Sequence, residues 1–414
     1  MVLDFDVGRF ISEKVTKRQQ SLLAADLAAN EDLLHERLSG ARVMVIGGAG
    51  SIGSHYIKAL LRYPVAKVCV VDIDENGLTE LVRDLRSGAV ERVPDDFITY
   101  PVNFGDAVFE KIFRTLGPFD VVANFAAHKH VRSEKDVFSI EAMFENNLFR
   151  AQRLLELLVE MPPRHFFCVS TDKAANPVNI MGASKKLMEE LILSYAERLP
   201  VTTARFANVA FSNGSLPFGF MERLAKRQPW SCPRNIRRFF VSPIEAGELC
   251  LVASVLGERG DIIYPKLDER SDMISFEQVA LDLLRALKME PLICSSEAEA
   301  REKMGQIGQD CALAPHCPIL SWPVYFFDSD TSGEKPYEEF FTQHERRDTD
   351  RFVNLGVVKG SKSHSTVELA GIFNDLRECF ARDGVSKGDI VAVLSRVLPD
   401  FAHIETGRSL DQKM

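Results

Sequence analysis

The chain has 414 residues, room for two or three domains. It is 46% hydrophobic and 26% charged with a formal net charge of −9 and no long basic run, so nucleic acid and anionic membranes are not expected as main partners. No apolar stretch approaches the ~18 residues of a membrane-crossing helix, and the acidic start lacks a signal peptide's positive charge; a cytoplasmic protein with no membrane span is expected.

In chain order, residues 1–40 place apolar side chains at helical spacing, among them Phe10, Ile11, Val15, Leu22, Leu27, Leu34 and Leu38. This predicts a helical lead-in packed on the next domain or on another subunit. From Arg42 the pattern becomes strand–helix alternation. Strands are expected at Val43–Ile46, Ala66–Asp72, Phe97–Val102, Asp120–Phe125 and Arg164–Val169, with helices at Ser51–Arg62, Asn76–Leu85, Val108–Leu116 and Ile140–Val159. Continuous apolar strands between amphipathic helices imply an α/β fold: a doubly wound, Rossmann-type parallel sheet covered on both faces. Beyond Arg205 the regularity loosens, and residues 295–323 carry only a weak pattern. Ser231–Phe240 reads as a loop leading into a strand, with helices at Ile244–Val255, Phe276–Leu287, Val367–Arg382 and Lys387–Leu398. The expected organisation is a lead-in (1–40), a dinucleotide-binding domain (41–207, with elements returning from about 236–265), a smaller α/β substrate region (208–345) and a C-terminal helical segment with a tail (346–414).

The eight cysteines are scattered. Cys69 and Cys168 lie in strand-like runs and read as buried small hydrophobes. Cys311, His316 and Cys317 lack a second pair to complete a tetrahedral site, so reduced thiols and no metal are expected.

Ligands of doubly wound sheets bind at the carboxyl ends of the strands. Four groups fall there: the loop Gly47, Gly50, Ser51, Ile52 and Gly53; Asp72; Asn124–His130; and Ser170–Lys173. In the first, glycines permit a tight turn and let backbone approach a pyrophosphate at a helix N-terminus. Asp72 follows Gly53 by 19 residues (72 − 53) at the end of the next strand. It is placed to accept from adenosine ribose hydroxyls and to repel a 2′-phosphate, which favours NAD over NADP. The plainer alternative is a turn cap, with Asp74 serving the ribose or the turn instead. Ser170-Thr171-Asp172-Lys173 sets an acid beside a base, and Met181 precedes Lys185 by four positions where a tyrosine is expected.

Several segments follow one family's order: Gly47–Gly53, Ala126-Ala-His-Lys-His-Val131, Ser170-Thr-Asp-Lys-Ala-Ala-Asn-Pro177, Met181-Gly-Ala-Ser-Lys185, Ala204-Arg-Phe-Ala-Asn208, Ser212-Asn-Gly-Ser215, Arg238-Phe-Phe240 and Gly333-Glu-Lys-Pro-Tyr-Glu-Glu339. Over roughly residues 40–400 the chain resembles the polysaccharide-biosynthesis nucleotide-sugar dehydratases of the extended short-chain dehydrogenase/reductase superfamily, the UDP-N-acetylglucosamine 4,6-dehydratase type. Many members carry a membrane-spanning N-terminal region; this chain resembles the shorter, soluble forms. The resemblance implies oxidation at C4 of a UDP-sugar, loss of water across C5 and C6, and hydride return to C6, with NAD unchanged overall. It implies Asp172 as acid, Lys173 as base, Thr171 near the C4 oxygen and Lys185 on the nicotinamide ribose. For those roles Asp172 must hold a proton and Lys173 must lack one, with burial and neighbouring positive charge pushing them there.

Met181 departs from the superfamily, because a thioether cannot take the C4 hydroxyl proton. A branch of the same dehydratases shares the methionine, and activity is expected to survive. The resemblance further implies cofactor contacts at Asn103, where the family usually has an aspartate, and at Ala126. For substrate it implies Lys129, His130, Asn208, the loop Ser212, Asn213, Gly214 and Ser215, Arg238 for a diphosphate, and Glu334. Thr331-Ser332 replace a family arginine just upstream of Glu334. A homo-oligomer is also implied. Two other readings compete: a nucleotide-sugar 4-epimerase or reductase on the same fold, and a non-catalytic nucleotide-binding or assembly protein. Neither calls for Asp172 beside Lys173.

Overall fold

Alternate residues of the first strand, β1 (Arg42–Ile46), enter opposite cores: Val43 and Val45 on one face, Met44 and Ile46 on the other. The same division holds for β2 (Lys67–Asp72), where Val68 and Val70 oppose Cys69 and Val71. Side chains alternate along a strand, so an unbroken apolar run fits only a sheet buried on both sides. The computed structural model describes residues 5–88, 92–313, 319–329, 335, 337–360 and 364–405, the side chains of 310–313 excepted.

The remaining strands are β3 (Asp96–Pro101), β4 (Val121–Asn124), β5 (His165–Val169), β6 (Val201–Ala204), β7 (Asn208–Val209), β8 (Trp230–Pro233), β9 (Arg237–Val241), β10 (Asp261–Pro265), β11 (Met273–Ser275), β12 (Glu290–Cys294), β13 (Ser321–Phe327), β14 (Arg346–Asp348) and β15 (Leu355–Lys359). Together with β1 and β2, seven of these form one nine-stranded sheet in the order β14-β15-β10-β6-β5-β4-β1-β2-β3. From β10 to β3 all pairings are parallel, and β15 and β14 add an antiparallel edge. The winding reverses between β1 and β4, which opens a crevice at their carboxyl ends. β10 is the strand that returns to the main sheet, whereas β9 pairs with β7 and β11 in a small sheet. A third sheet, β12-β13-β8, encloses its own core around Trp230 and Trp322.

Helices Ser51–Leu60 and Pro243–Leu256 cover one face of the main sheet. Ile180–Ser194 and the C-terminal pair Thr366–Phe380 and Lys387–Val397 cover the other. The lead-in packs on the chain itself: Leu23, Leu27, Leu34 and Leu38 join the first core and Phe10, Ile11 and Val15 the third. Arg18 fastens it by two hydrogen bonds to the Glu245 carboxylate, at 2.7 and 2.8 Å.

Element positions agree with the sequence to within a few residues, with informative exceptions. The helix expected at Ile140–Val159 is three contiguous segments, Val137–Phe144, a π-helical stretch Glu145–Phe149, and Arg150–Glu160. That wide turn sets Asn147 to accept from His128 N at 2.9 Å and to donate to His128 O at 3.0 Å, which fixes the loop after β4. The weakly patterned 295–323 contains helix Glu297–Leu313 and the start of β13. Within Ser231–Phe240, a strand precedes the expected one, because β8 belongs to the third sheet.

Candidate functional site

A cavity of about 410 Å³ opens at the carboxyl ends of β1, β2, β4 and β5. Its lining includes three lysines (129, 173 and 185) and two aspartates (72 and 172), a balance suited to an anionic ligand.

On one wall the turn after β1 brings Gly47, Gly50, Ser51, Ile52 and Gly53 to the lining. Gly47 has φ +76°, and a Cβ there would lie 2.6 Å from Ala126 N; a Cβ on Gly53 would lie 2.3 Å from Gly47 O. The turn can close only without these side chains, and closing it aims the start of helix Ser51–Leu60 into the cavity. Asp72 lines the same wall and accepts from Ala49 N at 2.9 Å and Asp74 N at 3.1 Å, so it fastens the glycine turn. Asp74 caps helix Glu75–Ser87 by accepting from Gly77 N. Asp72 thus both caps the turn after β2 and lines the cavity, whereas Asp74 caps the helix and is not among the lining residues. Asn103 and Ala126 lie alongside.

The opposite wall follows β5. Thr171 begins a single 3-10 turn, Asp172–Ala174, that leaves both catalytic candidates at the cavity. Asp172 Oδ1 accepts from three donors: Thr171 Oγ1 at 2.8 Å, Lys173 N at 2.9 Å and Lys173 Nζ at 3.1 Å. Burial works to lower the Lys173 pKa, but the carboxylates of Asp172 and Glu338 outweigh it and the net shift is upward. The two carboxylates thus oppose the direction in which burial pushes Lys173. Lys173 Nζ is paired with Asp172 Oδ1 in this arrangement.

Helix Ile180–Ser194 carries Met181 and Lys185 into the lining, one turn apart on the same face. Met181 is buried and offers only its thioether. Lys185 Nζ donates to Val169 O at 2.8 Å, and burial pushes its ammonium down to about 8.

Lys129 and His130 reach the lining from the loop after β4; desolvation within the cleft lowers both pKa values. Asn208, Ser212, Asn213, Gly214 and Ser215 complete it. Asn213 N donates to Ser51 Oγ at 2.9 Å, which joins this loop to the glycine turn. Asn208 Nδ2 is buried and has no hydrogen-bond partner among the described residues. A buried donor left so costs about 1–3 kcal/mol, a cost that an acceptor on a bound ligand removes.

Two expected contacts stand apart. Glu334 lies outside the described residues, as do Gly333, Thr331, Ser332, His316 and Cys317; the Cys311 side chain is likewise not described. Arg238 is buried, but its Nη1 donates to Arg237 O and Lys335 O, and it is not among the cavity-lining residues.

Sequence reasoning missed Glu338. Its carboxylate is buried, 3.8 Å from Lys173 Nζ and 4.0 Å from Arg238 Nη2. Glu338-Glu339 stands inside a family segment, yet paired acids are ordinary on loops, and only the fold brings residue 338 to residue 173. Glu189 was missed for a similar reason. It accepts from Ser170 Oγ at 2.9 Å and from Arg205, which fixes the strand end just before Thr171.

Residues 43–304, more than half of the chain, match the family described as polysaccharide biosynthesis protein, and the chain belongs to that family. It is 33% identical over 232 residues to an uncharacterized membrane protein of Methanocaldococcus jannaschii, covering 54% of this chain and 66% of that one. It is 27% identical over 234 residues to the capsular polysaccharide biosynthesis protein CapD of Staphylococcus aureus, covering 56% and 38%. The chain thus spans less than two thirds of either relative. Among solved structures, Pen from Bacillus thuringiensis is similar with a TM-score of 0.59 at 19% identity, over 79% of this chain and 90% of that one. The UDP-glucose 4-epimerase of Thermus thermophilus, solved in complex with NAD, gives 0.50 at 22% identity, over 64% and 93%. These likenesses establish the Rossmann-type α/β fold. No helix among the described residues is long and apolar enough to cross a membrane.

Proposed function

We propose that the chain is an NAD-dependent nucleotide-sugar 4,6-dehydratase of surface-polysaccharide or glycan biosynthesis, acting on UDP-N-acetylglucosamine or a close UDP-N-acetylhexosamine. The observation that carries this reading is Lys173 Nζ held 3.1 Å from Asp172 Oδ1 at the cavity wall. Elimination needs a base for the C5 proton and an acid for the departing hydroxyl side by side, whereas hydride exchange at C4 alone needs only an acceptor for the hydroxyl proton. Family membership and the NAD complex of the Thermus epimerase support the cofactor. So do the glycine turn that side chains would fill and the lysine-rich lining.

When bound, NAD would supply the reversible withdrawal of a hydride from the sugar. The glycine turn and the start of helix Ser51–Leu60 would hold its pyrophosphate, Asp72 its adenosine ribose and Lys185 its nicotinamide ribose. Asn208 Nδ2 would donate to an oxygen of the nucleotide sugar.

The proton path follows from the resting ion pair. Met181 takes no proton, so the C4 hydroxyl gives its proton through Thr171 Oγ1 to the Asp172 carboxylate. Once Asp172 is neutral, Lys173 loses one of the charges that raise its pKa and releases a proton to solvent, which reaches its partly exposed side chain. Lys173 Nζ then takes the C5 proton while Asp172 protonates the departing C6 hydroxyl, and water leaves. Lys173 later returns a proton to C5 and regains one from solvent, which restores the pair. The sugar's own C4 proton thus leaves in the expelled water, and the acid needs no other source.

The test is incubation of the purified protein with UDP-N-acetylglucosamine and NAD, read by mass spectrometry. Loss of one water supports the reading. An epimer of unchanged mass assigns the chain to the 4-epimerases, and binding without product assigns it to the non-catalytic alternative.

A further inference from the structure

Lys335 and residues 337–340 lie against the turn that carries Asp172 and Lys173, and this strap is tied down at two points. Lys335 Nζ donates to Asn176 O at 2.6 Å, and Asn176 Nδ2 donates to Glu339 Oε2 at 2.8 Å. Phe340 is buried against Phe239 and Tyr264. Between these anchors Glu338 is turned inward and is 5% exposed, which is unusual for a carboxylate. Its charged surroundings come from three elements: Asp172 and Lys173 after β5, Arg238 on β9, and Lys335 on its own segment. Lys173 therefore faces two carboxylates, Asp172 Oδ1 at 3.1 Å and Glu338 Oε1 at 3.8 Å.

We propose that Glu338, backed by Arg238, is a positioning residue for the elimination: its buried charge holds the Lys173 amine beside Asp172 and sets the pH at which that amine becomes free to act as base. The proposal rests on the dehydratase reading. An amine on a flexible four-carbon stem needs a second anchor to keep one direction. Asp172 cannot supply that anchor throughout, because its charge disappears when it takes the C4 proton. Glu338 Oε1 lies 3.8 Å from Nζ, and neutralising Asp172 removes one of the influences that raise the Glu338 pKa. Burial and the Asp172 charge raise the Glu338 pKa, Lys173, Arg238 and Lys335 act against them, and the net shift is upward. Removing this carboxylate removes one of the two interactions that hold the Lys173 pKa up.

The experiment compares wild type, Glu338→Gln and Glu338→Asp in two measurements. Titration of the Lys173 side-chain nitrogen by NMR needs no turnover. The pH profiles of kcat and of kcat/KM for water loss do. Glu338→Gln is expected to titrate Lys173 at lower pH, to shift the ascending limb of the profile in the same direction, and to lower kcat by roughly tenfold with little change in KM. Glu338→Asp keeps the charge and is expected to restore the wild-type titration and pH profile. A merely structural role would lower activity and melting temperature without moving either pH midpoint. An unmoved Lys173 titration in a folded Glu338→Gln protein overturns the proposal. If wild type expels no water from any UDP-sugar, the dehydratase reading fails, and the titration still decides whether Glu338 governs Lys173.

Discussion

Arg205 donates to both oxygens of Glu189, at 2.6 and 3.0 Å, and neither side chain is exposed to solvent. The same guanidinium reaches both oxygens of Glu345 at 2.7 Å, and Glu189 also accepts from Ser170. One cation thus locks the end of β6, helix Ile180–Ser194 and the residue before Thr171 into a fixed relation. The site's rigidity begins here, outside the cavity.

Breaking this pair leaves a buried charge uncompensated. Glu189→Ala is expected to destabilise the fold by about 3–5 kcal/mol in denaturant unfolding. Burial acts to raise the Glu189 pKa, but Arg205, Lys186 and Ser170 prevail and bring it from 4.5 down to about 2. A carboxylate with a depressed folded-state pKa contributes its stability above the unfolded value and loses it as pH falls through the folded one. Wild type is therefore expected to lose stability from about pH 4.5 toward pH 2, and Glu189→Gln to lose less over that window. Parallel curves for the two proteins would remove Glu189 from the account.

Gly53→Ala tests the cofactor wall. Its Cβ would meet the backbone at Gly47 O (2.3 Å) and Gly48 Cα (2.8 Å), and backbone cannot swing aside as a side chain would. A loss of about 1–3 kcal/mol is expected, and NAD should no longer raise the melting temperature. An NAD-induced shift equal to wild type contradicts the assignment of this turn.

Asp72 tests the choice of dinucleotide. Wild type is expected to bind NAD more tightly than NADP by calorimetry, and Asp72→Ala to narrow the difference. The variant also loses the Ala49 N and Asp74 N hydrogen bonds, worth about 1 kcal/mol each. Tighter binding of NADP by wild type would reverse the preference.

Met181→Tyr separates packing from chemistry. The residue is 1% exposed, so a bulkier ring is expected to cost about 1–3 kcal/mol of stability. Turnover should persist at a comparable rate if the C4 proton leaves through Thr171 and Asp172 as proposed. A rise of roughly 100-fold on restoring the phenol would show that the native path lacks an acceptor.

Much of this is legible in the chain. The alternation Val43-Met44-Val45-Ile46 already describes a strand with two buried faces, and Asp72 lies where strand periodicity ends β2. The expected residues from Gly47 to Ser215 line one cavity because a parallel sheet brings its strand ends together. What stays hidden depends on contacts between distant segments. In sequence Arg238 reads as a cation for a diphosphate, yet the fold turns it to Lys335 O and Glu338. The run Leu355-Gly-Val-Val-Lys359 is too short to declare itself the antiparallel neighbour of β10. Burial pushes the Lys173 pKa down, and the net upward direction comes from the two carboxylates beside it, one of them far away in sequence.

The acid and base roles come apart in paired variants. Lys173→Ala leaves Asp172 able to accept the C4 proton, so UDP-sugar should produce the absorbance of reduced nicotinamide without water loss. Asp172→Asn removes that acceptor and should produce neither. Overall turnover is expected to fall roughly 100-fold or more in both. Equal reduced-cofactor signals from the two would merge the roles assigned to them.

Proton NMR of the reaction in deuterated water, with wild-type protein, NAD and UDP-N-acetylglucosamine, tests the pairing of Asp172 and Lys173 most directly. The account predicts loss of the C6 hydroxymethyl signals, appearance of a C6 methyl group and deuterium at C5, all absent with Lys173→Ala. A product that keeps its C6 hydroxyl and its C5 proton would contradict it.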